Sequence, residues 1–373
     1  MKKTDHRPYP ETIFSIAREE LRNVFRDGGV VIFFFLVPLF YPLLYAFIYN
    51  NEVVRDVKLA VVDRSDTYLS REFIRRVDAT PHTKVIGVYA DMEEAKHTMD
   101  RKEAYGILLF PSEFSKEVHT GKQTTISLYC DMSSILHYKA LLSSATDVSL
   151  RMSRDFSIPY HEVTIFNTQG GFASFLVPAI LMLVIQQTLL LGVCMLGGTS
   201  RERRRNASPL PAFVSESYGE TLRKVLGRSF VYLLFYTVIS LWVLVVVPRL
   251  FSLPQMGNPG ELLLFLLPYL LACIFFSMTL SGFITSRESP FLLFVFTSII
   301  FLFLSGISWP VEAIPPFWRA LGYLFPSTPG IQGYIRIGSM GASLHAVAFE
   351  YRLLWIQAGV YFAAAGLIFR YRR

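Results

Sequence analysis

The sequence is short of charge. Asp, Glu, Lys and Arg make up 17% of its 373 residues, against about 25% in an ordinary soluble chain. Long stretches have none at all. Cysteine is scarce too. Cys130, Cys194 and Cys273 stand far apart with no CxxC spacing, which argues against a disulfide framework or a zinc site. They read as small buried hydrophobes. No GxxxxGK[ST] loop or other phosphate-cradling glycine pattern occurs, so the chain alone is expected neither to bind nor to split a nucleotide. His82, His97, His119, His137 and His161 have no ligand spacing, and no metal is expected. The net charge of +7 comes without a basic, aromatic-interleaved face, so nucleic acid is not an expected partner.

What is present is apolar surface: 52% of residues are hydrophobic. Six charge-free runs are read as membrane spans: 30–48, 172–196, 230–247, 262–285, 291–308 and 353–369. The first is longer than a signal-peptide core and lacks a small-x-small cleavage site, so it reads as an uncleaved anchor. Pro38 and Pro42 are expected to kink it. Before it, residues 1–29 carry Ile13, Ile16, Ala17, Leu21, Val24 and Phe25 at helical spacing among basic residues. That pattern is an amphipathic helix lying on a membrane surface.

Between the first two runs, residues 50–171 change character. Lys58–Asp63, Val85–Tyr89, Ala104–Phe110 and Thr124–Tyr129 read as buried strands. Helical stretches alternate with them, near 70–77, 91–99 and 112–119, and a longer one follows near 135–154. Alternation of this kind predicts a small α/β domain. The expected fold class is therefore an α-helical polytopic membrane protein with six transmembrane helices and an inserted extracytoplasmic α/β domain. Transmembrane helices 2–6 occupy 172–373.

Loop charges orient the chain. Counting Lys and Arg in the short segments gives seventeen on one side against four on the other. The positive-inside rule then puts both termini in the cytoplasm; the expected location is the inner membrane of a bacterial cell. A cytoplasmic loop is expected at 197–229, with its densest cluster at Arg201-Glu202-Arg203-Arg204-Arg205. Such a cluster either sets topology beside anionic headgroups or receives a cytoplasmic partner.

Residues 309–335 are apolar but broken by Pro310, Pro315, Pro316, Gly322, Pro326 and Pro329. Pieces this short fit an outer re-entrant hairpin sheltered by protein. Trp309 and Trp318 suit interfacial depth.

No Asp, Glu, Lys, Arg or His lies within any of the six runs. Ion-driven carriers place ionisable groups at that depth, so an ion-coupled carrier and an intramembrane hydrolase are both disfavoured. Gln186 and Gln187 lie mid-run. They either hydrogen-bond a neighbouring helix or line a path for substrate. The glycine pairs Gly28-Gly29, Gly170-Gly171 and Gly197-Gly198 read as hinges and caps.

Taken together, these features resemble the membrane subunit of a type-2 (exporter) ABC permease, in the subgroup with a large domain between the first two spans. Four stretches carry the resemblance: Ile13–Arg26 running into the first span; KLAVVD at 58–63 with AYGILLFPSEFS at 104–115; the charged run at 201–205; and Leu304-Ser-Gly-Ile-Ser-Trp-Pro310 with Ile314-Pro-Pro-Phe-Trp318 and Phe325-Pro-Ser-Thr-Pro329. It implies an ATP-driven efflux permease that is not itself an enzyme. By the resemblance, Glu19, Arg22, Arg201, Glu202, Arg203 and Arg204 would meet the ATPase. Gly306, Trp309, Pro310, Pro315, Pro316 and Pro326 would form the exit gate. Partners implied are a separate ABC ATPase subunit holding ATP and Mg, a second permease chain (identical or paralogous), membrane lipids and a periplasmic adaptor protein. The basic run RERRRNASP departs from the acidic coupling loops frequent in that family. The alternative is a membrane-anchored sensor or mechanotransmission protein whose extracytoplasmic domain binds a ligand.

Overall fold

The structure is a computed structural model that describes residues 12–49, 54–152, 171–207 and 217–371. The chain forms two compact units. Residues Met1–Asn50 and Phe166–Arg373 make one, and Asn51–Ile165 makes the other.

The smaller unit is α/β. Its strands are β1 (Val57–Asp63), β2 (Thr83–Tyr89), β3 (Gly106–Phe110) and β4 (Ser127–Cys130). They lie in the order β2-β1-β3-β4, with β1 parallel to both neighbours and β4 antiparallel to β3. Alternation along β1 sends Val57, Leu59 and Val61 to one face and Ala60 and Val62 to the other, as a period of two requires. The first face is covered by Phe73, Val77, Leu141 and Val148, the second by Ala95. Those side chains come from helices Tyr68–Asp78, Ile135–Met152 and Met92–Asp100. Thr67 and Asp91 cap the two shorter helices, accepting from Ser70 N and Glu94 N. All four expected strands form, each within a few residues of its expected position.

Cys130 ends β4 half-buried, and burial pushes its thiol up to about 11. Only the thiolate attacks. Alkylation of Cys130 by iodoacetamide near neutral pH is therefore expected to run on the order of 100-fold slower than for a free cysteine of pKa about 8.5. It should climb about tenfold per pH unit toward pH 10. A rate already level above pH 8.5 would contradict the burial of this thiol.

The larger unit is helical. Among the described residues, five helices are long and apolar enough to cross a membrane: Gly28–Ile48, a second beginning at Phe172, Tyr218–Leu250, Pro259–Ser281 and Ala348–Tyr371. They are called here the first to fifth long helices. The second runs unbroken for 36 residues, Phe172–Ala207. Its apolar part is wholly buried, so it forms the centre of the bundle. Phe34 illustrates the packing. A Cβ on Gly192 would fall 2.0 Å from its ring, and that ring meets Tyr232 and Tyr236 edge-on at 5.9 and 5.3 Å.

Two expectations take a more specific form. The loop expected at 197–229 is helical to Ala207 and again from Tyr218; residues 208–216 lie outside those described. Polar and basic side chains carry the helix past the apolar run because they are good helix formers. The fifth expected span, 291–308, is the helix Ser289–Leu304, only 16 residues long. At 1.5 Å per residue it reaches about 24 Å, short of a hydrocarbon core of about 30 Å. It stops because Ser305 Oγ turns back to Leu302 O at 2.6 Å and Gly306 takes φ +84, a conformation natural only to glycine.

Of the two prolines expected to kink the first span, Pro42 lies inside the helix Val37–Ile48, and Pro38 shares a local feature with Pro248. Short π-helical turns, Ile32–Leu36 and Trp242–Val246, precede Pro38 and Pro248. Proline has no N–H to give the carbonyl four residues back. At Pro248 that carbonyl belongs to Leu244, and it accepts instead from Gln255 Nε2 at 2.7 Å and Tyr334 Oη at 3.3 Å.

Candidate functional site

The helix Ile13–Arg26 begins at Thr12, whose hydroxyl accepts from Ser15 N at 3.2 Å. It buries Ile16, Glu20 and Val24, one residue per turn along one face. That face packs on the third long helix at Gly227, where a Cβ would lie 2.9 Å from Ile13 O. Glu20 is 5% exposed. Its Oε2 lies 3.4 Å from Arg228 Nε, and its Oε1 accepts from Tyr232 Oη. A buried carboxylate is tolerable only with such partners. Arg228 also stands over the Phe369 ring, 5.5 Å from its centroid.

The turn into the first long helix is built on Asp27. As N-cap, its Oδ1 accepts from Gly29 N at 3.1 Å and Val30 N at 3.4 Å, where a carboxylate suits the helix dipole. The same oxygen receives Arg287 Nη2 at 2.6 Å, and Oδ2 receives Thr199 Oγ1 at 3.1 Å. Asp27 is 7% exposed. One carboxylate thus ties together the amphipathic helix, the first and second long helices, and the loop after the fourth. Two further bonds hold that loop: Glu202 Oε1 accepts from Arg287 N at 2.8 Å, and Arg201 Nη1 donates to Ile284 O. Gly198 permits the approach, since a Cβ there would sit 2.4 Å from Ser286 O. Gly29 does the same against Met195. Gly29 and Gly198 are thus sites of close contact.

Of the residues expected to meet an ATPase, Arg201 and Glu202 enter this network. Glu19, Arg22 and Arg203 are exposed, and the side chain of Arg204 lies outside the described atoms. Asp27, Arg287, Glu20, Arg228, Tyr232 and Thr199 were not singled out by the sequence. Asp27 alone gave a signal, standing before Gly28-Gly29 as a helix N-cap.

At the opposite end of the bundle, residues 311–339 form short helical pieces, including Pro316–Gly322 and Ser327–Tyr334. Gly330 and Gly333 let the second piece lie against the rings of Tyr269 and Phe265; their Cβ atoms would fall 2.4 and 2.3 Å from them. Gln332 Nε2 donates to Ser305 O at 3.1 Å, Gln357 Nε2 to Tyr323 O at 2.7 Å and Tyr361 Oη to Leu324 O at 2.5 Å. Gly306 makes the sharp turn, while Trp309, Pro310, Pro315 and Pro316 are exposed and Pro326 is buried. Arg336 Nη1 pairs with Glu350 Oε1 at 2.9 Å.

Gln186 and Gln187 are 0% and 3% exposed. Gln186 Oε1 accepts only the weak S–H of Cys273 at 3.7 Å, and the Gln187 amide has no partner among the described residues. Nearby, Tyr236 Oη donates to Thr188 Oγ1 at 3.1 Å and Tyr269 Oη to Met182 O at 2.7 Å. No group of three or more potential metal ligands occurs among the described residues.

The architecture is that of a multi-pass helical membrane protein with a charged, cross-linked end and no catalytic constellation among the described residues. The family comparison is specific. The description "ABC-2 family transporter protein" matches residues 29–367, so the chain belongs to the ABC-2 transporter family and is an ABC transporter permease. It is similar to the linearmycin resistance permease protein LnrN of Bacillus subtilis (strain 168), with 21% identity over 94% of this chain and 97% of that protein.

Proposed function

We propose that this chain is the permease subunit of an ATP-driven exporter in a bacterial inner membrane. Two such chains, identical or paralogous, form the path. A separate cytoplasmic ATPase, holding ATP and Mg, supplies the energy, because charge-free spans offer no ion coupling. Both termini and the basic end of the second long helix face the cytoplasm. Residues 51–165 lie outside, where they gate the exit or dock a periplasmic adaptor. The helix Ser289–Leu304, with the turn that follows it at Ser305 and Gly306, makes the sixth crossing. Pieces 309–335 close the path from outside. The relative's name, a linearmycin resistance permease, favours a compound to which the cell is made resistant as cargo.

The single observation that carries this reading is the Asp27 network. It makes the amphipathic helix, the basic helix end and the 282–288 loop one mechanical body. A push delivered by an ATPase at any of them reaches the spans, as alternating access requires.

The test is a pull-down of tagged chain in mild detergent, with ATPase activity read in the eluate. Arg203→Glu combined with Arg205→Glu changes two exposed charges outside the internal network. Co-purified ATPase activity is expected to fall at least tenfold. A chain that emerges alone from several mild detergents, while a ligand binds residues 51–165, would move the assignment to a sensor.

A further inference from the structure

A cavity of about 350 Å³ opens at the bundle end opposite Asp27. Its walls come from the close of the third long helix (Val245, Arg249), the following linker (Ser252, Leu253), the start of the fourth long helix (Leu262) and Tyr334. That size is at the low end for ligand sites, which run roughly 300–1,000 Å³, and suits a headgroup more than a whole amphiphile.

The depth of the cavity follows from the helix that bounds it. Between Arg228 and Arg249 the third long helix carries no Asp, Glu, Lys, Arg or His. The two cations are separated by about 31 Å of helix, which is one hydrocarbon thickness. With Arg228 at one face of the hydrocarbon layer, this spacing would set Arg249 at the phosphate level of the other.

The electrostatics point the same way. Arg228, Arg287 and Arg336 each have a carboxylate partner; Arg249 has none among the described residues. Glu261 is the acidic group closest in sequence, and its Oε2 is engaged by Leu344 N at 2.8 Å. Gln255 and Tyr334 direct their donors to the Leu244 carbonyl that Pro248 leaves open. Gly257 and Pro259 bring the amino-terminal end of the fourth long helix to the wall, adding its partial positive charge. Val245, Leu253, Pro259 and Leu262 add apolar surface to the same walls. Ser252 holds φ +53 at the rim, a conformation that serine adopts at a cost.

We propose that this cavity seats the phosphate-bearing headgroup of a membrane phospholipid, with Arg249 contacting the phosphate and the acyl chains leaving along Val245 and Leu262.

The test uses the purified full chain in neutral detergent, with binding read by native mass spectrometry. The probes are dioctanoyl phosphatidylglycerol, uncharged dioctanoylglycerol and inorganic phosphate. Phosphatidylglycerol is expected to bind at least tenfold more tightly than dioctanoylglycerol. Arg249→Gln should lower its affinity about tenfold, Arg249→Lys should retain most of it, and Arg352→Gln, an exposed cation that does not line the cavity, should leave it unchanged. Equal binding of the charged and uncharged lipids overturns the proposal with no variant needed, so a failure of Arg249→Gln to fold does not protect it. Unchanged lipid affinity in a folded Arg249→Gln also overturns it. Inorganic phosphate displacing the lipid at equal concentration would make this a free-anion site and overturn the lipid assignment.

Discussion

Asp27→Ala is expected to abolish ATP-driven transport and to lower stability by about 2–3 kcal/mol. The stability part has two sources. Losing an N-cap costs about 1 kcal/mol, and a buried hydrogen-bonded carboxylate leaves its donors behind at about 1–3 kcal/mol more. Arg287 is 46% exposed at its side chain, so water takes over much of its share. The transport part rests on geometry. Among the described residues, Asp27 is the one group bonded to the first long helix, to Thr199 and to Arg287 at once. Asp27→Asn separates the two effects. Asparagine caps well but carries no charge for Arg287, so this variant should melt within about 1–2 kcal/mol of wild type. It should still transport at least tenfold more slowly. The measurements are melting in detergent and ATP-dependent transport in proteoliposomes containing the ATPase. Transport at the wild-type rate in Asp27→Asn would show that the ion pair has only a structural role.

Glu20→Ala is the second large effect, expected at about 3 kcal/mol. Removing one partner of a buried ion pair costs about 3–5 kcal/mol because the other charge stays behind. Arg228 is 27% exposed, which places the effect at the lower end. Glu20→Gln should cost less, since its amide oxygen still accepts from Tyr232. Adding Arg228→Met to Glu20→Ala should recover part of the loss, as expected when two residues share one interaction. Strict additivity in that double variant would separate Glu20 from Arg228. Melting of wild type, Glu20→Ala, Arg228→Met and the double variant under one set of conditions reads the cycle.

Much of the fold was legible because membrane and sheet periodicities are strong signals. A run such as KLAVVD, bounded by charge, has few alternatives to a buried strand. Length was harder to judge. Apolarity continues to Ser308, yet the helix from Ser289 ends at Leu304, because a serine back-bond and a positive-φ glycine act on backbone geometry that hydropathy does not register. The site was read less well. Arg201 and Glu202 stood out as members of a dense cluster, whereas Glu20 looked like any solvent-facing charge on an amphipathic helix. Only packing against Gly227 and Tyr232 turns it inward. Asp27 and Arg287 are 260 residues apart, and no local pattern joins them. The Leu244 carbonyl is a similar case: Pro248 indicates that a bond is lost, but only the fold supplies Gln255 and Tyr334 in its place.

The unbroken second long helix has a mechanical consequence. From Gln186, near its middle, to its end at Ala207 is about 32 Å at 1.5 Å per residue. A rod that stiff converts angle into distance. A tilt of about 5° about Gln186 would sweep the basic tip through about 3 Å, roughly the length of one hydrogen bond. Small rotations at the bundle centre therefore emerge as bond-making and bond-breaking displacements at the far end. The same lever works in reverse, turning a short stroke at the tip into a fine adjustment among the rings of Tyr236 and Tyr269.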